Sequence, residues 1–275
     1  MDLNTVSRVV QPRTLAEAPF PWSSDMAWLA GGTWLFSEPQ SHLTTLVDLR
    51  SLNWPDYELN ESGLTIGATC AIATLAGMSL PTHWSAAELV PVCCQALLAS
   101  FKIWNEATVG GNICCGLPAG SMITLSVALD GVGTLWGHGG QRRQVAIADF
   151  ITGEGQKDLH PDEVLRSIHI SASAWQRRYT YRRCASGEQG RSMVFLVGTV
   201  DPTTDEFVLT LTAATQHPMQ LRFPSLPSWS TVHKALDEQI PFTLYLEDAY
   251  RCATYRQHMT YYFAEQILAE LAADP

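Results

Sequence analysis

Two glycine doublets, Ala30-Gly31-Gly32-Thr33 and Thr108-Val109-Gly110-Gly111-Asn112-Ile113, constrain this chain more than anything else in it. Apolar residues lead into each of them, Ala27-Trp28-Leu29 before the first and Ala107 before the second. Glycine has no Cβ and accepts positive φ, so a Gly-Gly pair lets successive backbone N–H groups converge on one point. Such a concavity binds anions, pyrophosphate above all, without needing a lysine. An isolated pair also serves as an ordinary tight turn. Two pairs, each with a hydroxyl or amide beside it (Thr33; Thr108 and Asn112), can grip an extended phosphate-containing cofactor from two sides.

Length and charge narrow the partners. A chain of 275 residues has room for two or three compact units. Hydrophobic content of 46% against 16% charged residues describes an ordered globular protein. The net charge of −10 repels nucleic acid and anionic lipid. No apolar run reaches the roughly 18–20 residues of a membrane span. Met1-Asp2-Leu3-Asn4 has no basic patch followed by an apolar stretch, so the expectation is a cytoplasmic protein.

The seven cysteines, at 70, 93, 94, 114, 115, 184 and 252, form no Cys-x-x-Cys pair. Adjacent pairs do not suit a disulfide framework, and metal sites prefer wider spacing. They read as reduced, small buried hydrophobes. Cys114 and Cys115 directly follow the second doublet and are placed to line whatever it holds. The chain carries no Gly-x-Gly-x-x-Gly, no phosphate loop ending in Gly-Lys-Ser/Thr, no His-Glu-x-x-His and no Gly-x-Ser-x-Gly. Its eight histidines form no i, i+4 pair. Asp201, Asp205 and Glu206 flank Pro202 as in a solvated hairpin turn. No catalytic or metal-ligating set emerges, so any chemistry rests with a cofactor.

Patterning along the chain predicts α+β architecture. Residues 1–22 read as an extended lead with a short helix near Thr14–Ala18. Met26–Ala30 and Thr45–Leu49 read as strands of a small βαβ-like unit. Tyr57–Leu59 and Leu64–Ala68 form a hairpin about a polar turn. Helices follow at Ile72–Met78 and Ser85–Phe101, the second with apolar residues at helical spacing and the second glycine loop behind it. Met122–Leu129 is apolar throughout and predicts a buried helix. Strands are expected at Gly133–Trp136, Gln144–Ile147 and Glu163–Ile170, with a break near Ala172–Gln176. Beyond it, Arg178–Arg183, Ser192–Val200 and Phe207–Thr215 predict a three-stranded meander. Helices are expected at Thr231–Asp237 and Asp248–Ala272, where Met259, Phe263, Ile267 and Leu271 make one apolar stripe.

This order of features resembles the flavin-binding subunit of the molybdenum hydroxylases, the xanthine dehydrogenase and carbon monoxide dehydrogenase family, over nearly the whole chain. The resemblance rests on Ala30-Gly31-Gly32-Thr33, Leu46-Val47-Asp48-Leu49, Leu64-Thr65-Ile66-Gly67-Ala68 and Ala107–Ile113. It continues through Pro118, Leu125–Asp130, Asp162-Glu163-Val164-Leu165 and Tyr255-Arg256-Gln257-His258. It implies that Leu29, Ala30, Gly31, Gly32 and Thr33, with Trp34 and Leu35, hold the FAD pyrophosphate and ribityl chain. Ala107, Thr108, Gly111, Asn112 and Cys115 would complete the diphosphate and flavin contacts, and Leu165 would pack on a ring of the cofactor. Arg182 stands where relatives place a lysine or aromatic residue near the flavin. Ser121 stands where relatives commonly carry an aspartate for a ribose, Trp34 where they have a smaller or polar residue, and Cys115 where threonine is frequent.

The resemblance further implies an FAD-binding module over 1–172, with parts at about 1–55 and 56–172, and a meander-plus-helix domain over 176–275. Electrons would arrive from two [2Fe-2S] clusters on a small partner subunit, fed by a molybdopterin-binding large subunit, and leave to NAD, oxygen or another acceptor. Two other readings stand beside it. One is a degenerate, non-redox subunit kept for assembly. The other is a free-standing flavoprotein oxidase of the vanillyl-alcohol type.

Overall fold

In the computed structural model, which describes residues 3–185, 187, 190–249 and 252–273, three short parallel strands open the fold. They are β1 (Arg8–Val10), β2 (Met26–Leu29) and β3 (Thr45–Asp48), in the order β1-β3-β2. Leu46 and Val47 of β3 are buried. Leu15–Glu17 makes a single 3₁₀ turn where a short helix was expected. Only turns, over 33–37 and 41–42, lead from β2 to β3, so no helix completes a βαβ unit here. The chain instead spends the link on the first glycine loop and the turns that follow it. β1 lies in the stretch that reads as an extended lead, because three residues carry no readable periodicity.

The hairpin β4 (Tyr57–Asn60) and β5 (Gly63–Gly67) follows. Five helices come next: α1 (Ile72–Ala76), α2 (Leu89–Ala96), α3 (Phe101–Glu106), α4 (Val109–Cys114) and α5 (Ser121–Ala128). The single helix expected over Ser85–Phe101 is a 3₁₀ turn at Ser85–Glu88, then α2, then a break. Leu97 leaves the helix with ψ 93°, and the Trp104 indole donates to the Leu97 carbonyl at 3.2 Å. That bond holds the link 97–100 open before Ser100 starts α3. α5 is buried at all eight positions.

The remaining strands of the second sheet are β6 (Val132–Gly137) and β7 (Arg142–Ala146) and, after α6 (Ile147–Phe150) and the small hairpin β8 (Ile151–Gly153) and β9 (Gln156–Lys157), the long β10 (Glu163–Ser171). The order β4-β5-β10-β6-β7 is antiparallel throughout. Strand alternation turns Leu64, Ile66, Leu135, Ile168 and Ile170 into the core under the helices and Thr65, Thr134 and Trp136 away from it. Between Leu165 and Ser167 the register with β6 shifts, leaving Arg166 as the extra residue of a bulge.

A short helix α7 (Ala172–Trp175) leads to β11 (Arg178–Ala185), β12 (Ser192–Val200), β13 (Phe207–Thr212) and β14 (Met219–Phe223), an antiparallel meander of four strands. The fourth strand, short and half-buried behind Pro218, was not expected from the pattern. α8 (Trp229–Gln239) and α9 (Ala253–Ala273) complete the chain. The predicted start of the last helix at Asp248 takes in residues 250 and 251, which lie outside the described residues. β12 is buried at all nine positions, with α5 and α9 both packed on it. α9 sits so close that a Cβ on Gly198 would meet Ile267 at 2.3 Å. Phe263, Ile267 and Leu271 carry the packing, and these buried residues form a second core beside that of the larger sheet. Among the described residues no helix is long and apolar enough to cross a membrane.

Candidate functional site

The loop after β2, the 97–100 link, the first turn of α4, the β8–β9 hairpin and the start of β10 surround one cavity of about 880 Å³. Cofactor and small-molecule sites fall within roughly 300–1,000 Å³. Thirteen of the residues singled out in the sequence line it: Leu29, Ala30, Gly31, Gly32, Thr33, Trp34 and Leu35 from one side, and Ala107, Thr108, Gly111, Asn112, Cys115 and Leu165 from the other.

The two doublets touch. A Cβ on Gly31 would lie 1.7 Å from the carbonyl oxygen of Glu106, so only glycine lets the first loop rest on the Glu106–Ala107 peptide. Arg50 fastens that contact, its guanidinium donating to the Glu106 carbonyl at 3.0 Å and pairing with its carboxylate at 2.8 Å. Gly32 has φ +69°, which the turn requires. The carbonyls of this loop hold it closed, Gly32 accepting from Phe36 N–H at 2.8 Å and Trp34 from Ser37 N–H at 3.0 Å. Among the described residues, the five amides from Gly31 to Leu35 find no acceptor in the chain. Trp28, on the same wall, has its indole Nε1 buried with no acceptor. This end of the cavity holds an excess of donors, the requirement for an acceptor-rich anion such as a pyrophosphate.

The second doublet does different work. Gly110 and Gly111 are not a loop; they form the first turn of α4. Thr108 caps it, its Oγ1 accepting from Gly111 N–H at 3.0 Å. The other leading amides are also taken: Val109 by the Cys70 carbonyl, Gly110 by that of Ala68 and Asn112 by that of Thr108, each at 2.9 Å. The convergent amides expected at both doublets therefore occur only at the first. What the second contributes is close approach, of α4 to Ala68 and of its first turn to its own cap. A Cβ on Gly110 would meet Ala68 Cβ at 2.5 Å, and one on Gly111 would meet Thr108 Oγ1 at 2.7 Å. Asn112 accepts from Met122 N–H at 3.0 Å through its Oδ1, which fixes α4 against the start of α5.

The opposite wall brings in residues the sequence did not mark. Leu97, Leu98 and Ile103 supply an apolar surface from the opened helix break, and Lys157 and Arg191 supply cations. Lys157 is carried in by the β8–β9 hairpin, which Gly155 N–H ties to the Gly116 carbonyl at 2.9 Å. Burial raises the Cys114 thiol to about 12 and the Cys115 thiol to about 11, with Lys157 opposing the shift. Both stay protonated at neutral pH and act as packing groups. Glu163 at the edge is held bidentately by Arg143, at 2.8 Å for each oxygen, and that bond keeps its carboxyl below the ordinary glutamate range.

Two of the singled-out residues do not line the cavity. Ser121 is one position behind Gly120, which does; it is 1% exposed and its Oγ has no partner. Arg182 points to the other side of β11, where it bonds Gln266 at 3.0 Å and Glu270 of α9. Strand alternation separates it from Tyr181, which packs on the larger core.

The family described as FAD binding domain in molybdopterin dehydrogenase matches residues 5–172. Over 130 residues the chain is 27% identical to the xanthine dehydrogenase of Oryza sativa subsp. japonica, an alignment covering 45% of this chain and 9% of that protein. The matched part of the chain thus spans about a tenth of the length of that relative. It shares its fold with a chain of quinoline 2-oxidoreductase from Pseudomonas putida 86, at TM-score 0.77 and 18% identity over 100% of this chain and 99% of the other. It shares it equally with a chain of carbon monoxide dehydrogenase from Oligotropha carboxidovorans, at TM-score 0.79 and 20% identity over 98% of each. With a family match spanning more than half its length, the chain belongs to the FAD-binding domains of molybdopterin dehydrogenases, an oxidoreductase family, and FAD is its cofactor.

Proposed function

We propose that this chain is the electron-transfer subunit of a molybdenum hydroxylase built from separate chains. FAD in the 880 Å³ cavity would receive electrons from [2Fe-2S] clusters on a small partner and release them to NAD, oxygen or another acceptor. A large partner would carry molybdopterin and oxidise the substrate. The observation that carries the reading is the meeting of two unlike glycine doublets on one cavity, a donor-rich loop and a side-chain-free helix turn. The fit is direct. Five unclaimed amides suit the two phosphates, Gly31 lets their loop close on the Glu106–Ala107 peptide, and the Leu97–Ile103 segment and Leu165 give apolar cover for rings.

FAD supplies the redox chemistry, and the chain supplies placement and electrostatics. Gly31–Leu35 would bind the anion, with Lys157 and Arg191 offsetting its charge. Leu97, Leu98, Ile103 and Leu165 would exclude water from the ring system. Cys114 and Cys115, protonated, would sit beside it as neutral packing.

Purification from the native cell, with a visible spectrum, metal analysis and mass spectrometry, tests this. Flavin bands should appear, FAD should be released on denaturation, and molybdenum, iron and a much larger chain should co-elute. A colourless protein that cannot be reconstituted with FAD would make it an assembly subunit. A yellow protein that elutes alone and turns over a substrate would make it a free-standing oxidase.

A further inference from the structure

The face of the five-stranded sheet turned away from the helices carries a second concavity of about 550 Å³, with Arg142, Arg143 and Arg166 in its wall. Arg166 is the bulge residue of β10, so the same irregularity that turns Leu165 into the first cavity turns Arg166 into this one. Its guanidinium carbon lies 4.7 Å from the ring centre of Trp54 and 5.3 Å from that of Trp136, and the two rings meet edge to face. Arg142 stands over Trp136 at 4.5 Å. The aromatic faces hold both guanidiniums in place through cation–π attraction and leave their N–H edges uncommitted.

Uncommitted is the unusual part. In a chain of net charge −10, neither Arg142 nor Arg166 forms an ion pair or a side-chain hydrogen bond among the described residues, and Arg166 Nε is buried without an acceptor. Arg143 is spent on Glu163 and Asp158. The one carboxylate in the wall, Glu58, acts on Arg166 only at a distance and makes no ion pair with it. Thr134 and Gln144 add neutral hydrogen-bonding groups with no partners of their own. A buried guanidinium N–H without an acceptor, as at Arg166 Nε, costs free energy that an oxyanion removes, since planar guanidinium pairs bidentately with carboxylate or phosphate.

We propose that this concavity binds a small oxyanion, a metabolite bearing phosphate or carboxylate, gripped by Arg142 and Arg166 with Thr134 and Gln144 beside them. The site is separate from the FAD cavity and does not depend on the electron-transfer reading.

The test is isothermal titration calorimetry of the full chain, loaded with FAD so that the donor-rich loop is filled, against inorganic pyrophosphate and against citrate. Saturable binding of at least one is expected. Arg166→Gln and Arg142→Gln should each weaken it tenfold or more, while Lys234→Gln on α8, which removes the same charge elsewhere, should not. Tighter binding of pyrophosphate identifies phosphate as the recognised group, and tighter binding of citrate identifies carboxylate. Should Arg166→Gln fail to fold by thermal melt, Arg142→Gln at its exposed position carries the test. No saturable heat with either anion, or an equal loss in Lys234→Gln, overturns the proposal.

Discussion

Gly31 and Gly111 are each half of a doublet, yet a methyl group would offend at them for different reasons. At Gly31 it would sit 1.7 Å from the Glu106 carbonyl oxygen, backbone on both sides, so the two loops would have to part by more than an ångström. Overpacking of that kind costs about 1–3 kcal/mol. Gly31→Ala is therefore expected to lower the thermal midpoint and to abolish FAD retention, read by flavin fluorescence in a titration. At Gly111 the methyl meets only the Thr108 hydroxyl, which can turn away at the expense of the helix cap, about 1 kcal/mol. Gly111→Ala should lose stability and keep FAD. Equal FAD affinities in the two variants would show that the loop amides are not what holds the phosphates. Glu163 offers a pH test of the same wall. Its carboxyl is held down by Arg143, so the folded value lies below the ordinary 4.5. A depressed carboxylate stabilises the fold above its unfolded value and loses that contribution as pH falls through the folded one. The stability gap between the parent and Glu163→Gln should be full near neutrality and shrink on acidification below about pH 4.5, as followed by urea unfolding across pH. A gap independent of pH would mean that the Arg143 pair contributes nothing.

Among the elements, α9 depends on one buried cation. Arg256, 2% exposed, donates to the Ala213 carbonyl at 2.8 Å and to that of Met193, and pairs with Asp248 at 2.8 Å. Ala213 in turn takes φ +63° and donates its N–H to the Pro118 carbonyl at 2.9 Å, next to the cavity wall at Leu117 and Ala119. Removing the guanidinium takes a donor from two buried carbonyls, which costs about 1–3 kcal/mol. Arg256→Met should lower the denaturation midpoint accordingly with an unchanged slope, and a loss below 1 kcal/mol would show α9 to be held by its apolar stripe alone. That stripe was legible in the sequence because burial on one face leaves a period, the buried α5 because burial on all faces leaves an unbroken apolar run, and the β4–β5 hairpin because a polar turn parts two short strands. β1 and β14 were not, being short strands with too few residues to show a period. The break between α2 and α3 was masked because Leu97 and Leu98 keep their apolar character for the cavity instead of a helix face. The same division runs through the site. Glycines that backbone contact requires announce themselves, whereas Lys157 and Arg191 reach the cavity only because a hairpin and a strand end are folded against it. Only the resemblance to relatives put Arg182 near the flavin, and the sheet turns it to α9, on the face opposite Tyr181.

At the scale of the whole molecule, the large apolar side chains left in water are unevenly placed. Trp34, Phe36, Leu98, Phe101 and Ile103 are all exposed, Phe101 to 74%, and all lie in the two segments beside the cavity proposed for FAD. Trp34, Leu98 and Ile103 line that cavity themselves, and Phe36 lies over Gly32. Scattered exposed apolar residues need no explanation, but a cluster rimming one cavity has the composition of an interface core, where aromatics are enriched and charges are few. An electron-transfer subunit needs its donor close to the flavin, so this rim is where the iron–sulfur partner of the proposed assembly would dock. A carboxylate at its most exposed point would have to be desolvated on docking, which disfavours the complex without touching the cavity or either core. Phe101→Asp is therefore expected to release the partner chain on size-exclusion chromatography and to lower the iron that co-elutes, while its FAD content and thermal midpoint match the parent. Phe242, 51% exposed beside α8 in the C-terminal part, supplies the comparison, and Phe242→Asp should leave the assembly intact. If the two variants behave alike, the rim is ordinary surface and the partner docks elsewhere. If Phe101→Asp loses FAD as well, the residue belongs to the cavity itself and the rim must be probed again at Phe36.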